Sequence, residues 1–135
     1  MPLENGIILN KDGELFRKLE LLRRENELGL DRNIICRLGF LKSLDEPGIP
    51  SWEEYMNSFS KESGSLSFQI KKDVLFGEFY TLYVALLKQR ISEETIGEVT
   101  PETIDQMGKA HIARGILRCI PSRLKQLCEL SKLLD

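Results

Sequence analysis

The sequence predicts an all-α, single-domain protein opened by one short strand, and three observations carry that prediction. Apolar residues recur at helical spacing over several stretches of 12 to 20 residues, and clusters of proline, glycine and serine punctuate them. The composition is that of an ordinary globular chain, 41% apolar and 30% charged. A chain of 135 residues is long enough to bury roughly two-thirds of the surface it exposes when unfolded, so one core over residues 1–135 suffices.

The first element is the apolar run GIILN, read as a strand, followed by a helix from Asp12 to about Asn26. Asn10 or Asp12 can accept from the first free amides of that helix. Leu15, Leu19 and Leu22 share a face with Phe16 beside it, and Arg17 and Arg24 lie opposite. A second helix starts at Asp31 or Asn33 and runs to Leu44, and its apolar residues cover more than half its circumference, as in a helix buried on more than one side. The strand, helix, helix order resembles the start of ribbon-helix-helix proteins, which pair two chains, and so favours an oligomer.

DEPGIP from Asp45 to Pro50 stops the second helix. Ser51 and Glu54 have capping-box spacing for a short helix, and Ser60 to Ser67 reads as a flexible loop. Asp73 to Arg90 is the strongest helical pattern, with Leu75, Phe79, Leu82, Tyr83 and Leu86 on one face, and is expected at the centre of the core. The next helix begins at Thr100, with Pro101 at its first position, and runs to Ile120. Gly108 and Gly115 on its apolar side permit close packing. A last amphipathic helix using Leu124, Leu127, Leu130 and Leu134 follows Pro121, making about five main helices.

The N-terminus lacks a basic segment followed by a long apolar one, no apolar run spans a bilayer, and a cytoplasmic location away from membranes is expected. Cys36, Cys119 and Cys128 are odd in number and far apart, which argues against disulfides and structural zinc and for small buried hydrophobes. Net charge is -2, but its distribution is uneven. Ile91 to Asp105 holds five acids and no base, whereas Gln106 to Cys128 holds Lys109, Arg114, Arg118, Arg123 and Lys125 and no acid.

His111 is the sole histidine. A catalytic role needs a nucleophile or an orienting carboxylate, and Glu102 and Asp105 lie six or more positions away, leaving only partners from distant segments such as Glu78. No metal-ligand spacing, phosphate loop or dinucleotide signature is present, so neither a catalytic site nor a cofactor or metal is expected. At 100° per residue His111, Arg114 and Arg118 share a helix face. With no acid in the segment to pair with, that face is expected to be a basic stripe touching phosphate, whose affinity would fall with salt. Arg114, Arg118, Arg123, Lys125 and His111 are the leading contacts, with Arg17, Arg24, Lys71 and Lys72 widening the surface. Aromatic residues are few, so duplex backbone is a better ligand than stacked single-strand bases.

NIICRLGFLKSLDEPGIP, VLFGEFYTLYVALLKQR and AHIARGILR, in this order, resemble the DndE family, the small subunit of bacterial DNA phosphorothioation systems. The resemblance covers most of the chain through CRL, SL-x-EPG, LFGE, ALL-x-QR and HI-x-RG. It implies a helical, non-enzymatic DNA-binding protein, a dimer or tetramer with a preference for nicked duplex. Its partners would carry the sulfur chemistry: a cysteine desulfurase, an iron-sulfur protein and an ATPase. His111, Arg114 and Gly115 match the HI-x-RG stretch. The rival reading is a scaffold that docks those partner subunits and touches DNA little.

Overall fold

Ile7–Asn10 forms strand β1, and every residue from Gly6 to Leu9 is buried, so the run is too apolar to lie on a surface. A computed structural model describes residues 3–26, 28–94, 99–121 and 124. Helix α1 (Glu14–Glu25) buries Leu15, Leu19 and Leu22, the face its spacing predicts. Gly13 occupies its N-cap; the Asn10 side chain instead donates to the carbonyls of Asn57 and Phe59. Helix α2 (Arg32–Asp45) follows with Asp31 at its N-cap and is buried on several sides through Ile35, Cys36, Leu38, Gly39, Phe40 and Ser43.

After the proline-rich stop come the one-turn helix α3 (Trp52–Tyr55) and a 3-10 turn at Met56–Ser58. Ser51 caps α3 by position only, its hydroxyl donating to Glu53 rather than forming a capping box with Glu54. Ser67–Ile70 is strand β2, antiparallel to β1 with Ile7 opposite Ile70 and Asn10 opposite Ser67. The strand was not expected, since only four residues hold it and the partner lies some sixty positions away. β1 thus finds its ladder in the same chain, and the Ser60 amide donates to Ile8 on its other edge.

The expected helix over 73–90 is broken. Helix α4 (Lys72–Leu75) ends, a 3-10 turn occupies Gly77–Phe79, and helix α5 runs Tyr80–Glu94. The break sits at Gly77, whose φ of +57° suits a residue without a Cβ. It frees the carbonyls of Val74 and Leu75, which accept from the Arg37 guanidinium at 3.0 and 2.6 Å. The interruption resets the helical phase, so α5 buries Tyr83, Val84, Leu87 and Ile91 while Phe79 and Leu82 face outward.

The central element is instead α6 (Pro101–Leu117), in which every residue from Ala110 to Ile116 is buried. Thr100 caps it, its hydroxyl accepting from the Thr103 amide at 3.1 Å. It packs mainly along α2, and α1, α3 and α5 close around the pair. The crossing is as close as backbones come: a Cβ on Gly115 would lie 1.7 Å from the Gly39 carbonyl oxygen. Cys36 and Cys119 are buried, as expected; Cys128 and the expected last helix lie outside the described residues, apart from Leu124, which is buried. No helix among the described residues is long and apolar enough to cross a membrane.

Candidate nucleic-acid interface

The α2–α6 seam decides what His111 and Arg114 do. Ser43, in the last turn of α2, places its hydroxyl between them: Arg114 Nε donates to Ser43 Oγ at 2.8 Å, and Ser43 Oγ lies 2.8 Å from His111 Nδ1. The hydroxyl can give its proton to Nδ1 or accept from Nδ1–H alongside the arginine, so the contact holds in either neutral tautomer. Among the described residues His111 Nε2 has no hydrogen-bond partner, and the ring meets Phe40 edge-on. Burial, and then the charges of Arg114 and Arg90, push the imidazole down to about 4. The histidine is therefore neutral at ordinary pH.

Arg114 spends its remaining donors on the carbonyls of Ser43 at 2.7 Å and Gly48 at 3.0 Å. Arg90 from α5 adds a bond to the Glu46 carbonyl at 2.6 Å. Two guanidinium groups thus cap the carbonyl end of α2, where the helix dipole favours positive charge. Ser43 and His111 have the separation of a nucleophile and its base, but both are 0% exposed and no substrate reaches them.

The expected basic stripe is thus corrected. His111 and Arg114 point inward, and the acids missing from their own segment arrive from elsewhere. Glu46 at the end of α2 pairs with Arg118 at 2.9 Å, and Asp105 pairs with Lys109 at 2.9 Å. Of the described residues of the stripe, Arg118 alone is exposed; Arg123 and Lys125 lie outside the described residues.

A different surface gathers cations. Lys11, Arg17, Lys18 and Arg24 line an open groove of about 700 Å³ along α1, floored by Phe16, Leu21 and Leu117. Of its two acids, Glu20 is held by Arg32 and Arg23, which keep its carboxyl below the usual range although burial opposes them. Among the described residues neither Arg17 nor Lys18 has an ion-pair partner. Leu117 carries the groove to the end of α6 and so to Arg118. Burial pushes the Cys119 thiol up, against the charges of Lys42 and Lys18. Leu117 in the groove wall and Arg118 on Glu46 are neighbours in sequence, so the α1 groove and the Glu46 cluster meet at the end of α6.

Lys11, Lys18 and Lys42 were missed in the sequence: Lys18 neighbours Arg17 on α1, but Lys11 lies in the turn before the helix and reaches the groove only through the fold. Lys71 and Lys72 lie elsewhere, beside a hollow shared with Glu4 and Asp73, and Lys72 sits 4.7 Å over the Tyr80 ring. Among the described residues no group of three or more potential ligands is placed to hold a metal. Among known proteins, the family model described as "DNA sulphur modification protein DndE" matches residues 14–125. No curated protein matches the chain.

Proposed function

The chain belongs to the DndE family, whose role is in DNA sulfur modification, and on that premise we propose that it is the non-enzymatic subunit that holds duplex DNA by its backbone, nicks included. The single observation supporting this is the cationic groove on α1, where Arg17 and Lys18 stand without ion-pair partners among the described residues. Long cationic side chains left free on one face match the spaced negative charge of a phosphate backbone, and each contact releases counterions. Assembly as a dimer or tetramer would repeat the face and add affinity without any new contact. Sulfur mobilisation and transfer would then fall to other Dnd subunits, the ATPase and iron-sulfur protein among them.

The test is fluorescence anisotropy of a labelled duplex, intact and nicked, over a range of salt. The wild-type Kd should rise steeply with salt, and Arg17→Glu/Arg24→Glu should weaken binding at least tenfold while flattening the salt slope by about 2, roughly one per phosphate contact. Equal binding by a folded double variant would remove the groove from the DNA-holding role.

One observation favours the scaffold reading: Val74, Phe79 and Leu82 expose 53, 45 and 54% of their surface along α4 and α5. If partner docking is the main role, Leu82→Asp abolishes co-purification with the other subunits and leaves duplex affinity unchanged.

A further inference from the structure

Three cationic side chains converge on one carboxylate at the end of α2. Glu46 Oε1 accepts from Lys42 Nζ at 2.6 Å, and Oε2 accepts from Arg118 Nη1 at 2.9 Å with Arg114 Nε at 3.6 Å. The three do not depend on Glu46 equally. Arg114 is anchored by Ser43 and Gly48 and stays in place without it. Arg118 is 56% exposed and its side chain has no other partner among the described residues, so its head group can follow whichever anion is offered.

We propose that Glu46 occupies the position of a DNA phosphate on this cationic face and acts as a built-in competitor that a backbone phosphate must displace from Arg118 and Lys42. The inference rests on the duplex-holding reading above and adds its regulation. A phosphodiester, like the carboxylate, carries one negative charge and presents acceptor oxygens to a guanidinium fork. Exchange of one for the other is therefore nearly balanced in charge, and the two cations add little net affinity while Glu46 remains ionised. Leu117 lines the α1 groove and Arg118 follows it directly in the chain, so this position lies beside the groove at the end of α6.

Neutralising the competitor should reveal the two cations. Glu46→Gln keeps the shape and the backbone carbonyl that Arg90 uses, and it should tighten duplex binding roughly three- to tenfold and steepen the salt slope by about 1. Adding Arg118→Ala to Glu46→Gln should cancel that gain. Salt-dependent wild-type binding with Glu46→Gln within twofold of it would overturn the competitor while leaving the duplex-holding role intact. Absence of binding by both proteins would overturn both. Absence in the wild type with Arg118-dependent binding by Glu46→Gln would support the competitor in its strongest form. Should the variant fold poorly, the wild type decides: with carbon-13-labelled glutamate, the Glu46 carboxyl resonance should move toward that of a free carboxylate as duplex is added, and a stationary resonance at saturating duplex would overturn the proposal.

Discussion

At the scale of single residues, the side chains that looked most like chemistry turn out to be packing. His111 is neutral because the folded chain offers its charged form neither water nor a carboxylate. Its imidazole is held near 4 against an ordinary 6.5, so the folded state binds fewer protons than the unfolded one between those values. The stability it contributes is present above pH 6.5 and is lost as pH falls from there toward 4, a change of about 3 kcal/mol over the window. As the sole histidine it gives one unambiguous imidazole signal in a proton NMR titration, and His111→Gln should flatten the pH dependence of the unfolding midpoint over that range. Arg114→Met keeps the aliphatic stem but strands the Ser43 carbonyl and hydroxyl, and should cost about 2–4 kcal/mol in denaturant titration. The shared helix face of His111, Arg114 and Arg118 was legible in the sequence. Its direction was not, because the acid that pairs with Arg118 lies 72 positions away and local spacing carries no information about which neighbouring element a face will meet.

At the scale of elements, the crossing of α2 and α6 organises the domain, and the stretches carrying the family resemblance meet around it. SL-x-EPG supplies Ser43, Glu46 and Gly48; HI-x-RG supplies His111, Arg114 and Gly115. Arg90 of ALL-x-QR reaches the Glu46 carbonyl, and Arg37 of CRL reaches the carbonyls beside LFGE. These stretches specify the clasp of the fold, whereas the cations of the α1 groove, Lys11, Arg17, Lys18 and Arg24, lie outside them. Gly115→Ala should be severely damaging, since its methyl would meet the Gly39 backbone across the α2–α6 crossing. A loss of about 3 kcal/mol or more is expected in thermal or denaturant unfolding. The extents of α1, α2 and α6 could be read from periodicity, from Pro101 and from the prolines after Asp45. The Gly77 break could not, because the apolar spacing continues through it and the partner of the freed carbonyls is a distant arginine.

At the scale of the whole molecule, a net charge of -2 coexists with a cationic face, because four cations line the α1 groove against two acids, of which Glu20 is committed to Arg32 and Arg23. On the duplex-holding proposal, affinity for DNA would be a property of one side of the fold, for which the charge total is a poor guide. The domain also depends on contacts between its two ends: Leu3 donates its amide to Asp105 across 102 positions, and Arg114 reaches back 71 positions to Ser43. A chain stopped at Thr100 lacks the helix that covers α2 and should show no cooperative unfolding transition and little helical circular dichroism. The same dependence sets a timetable for synthesis. At about 5–20 residues per second, the 71 residues between Ser43 and Arg114 leave the apolar flanks of α2 uncovered on the ribosome for roughly 4–14 s. Over that interval α2 has no α6 to pack against, and the core can form only once α6 has been made.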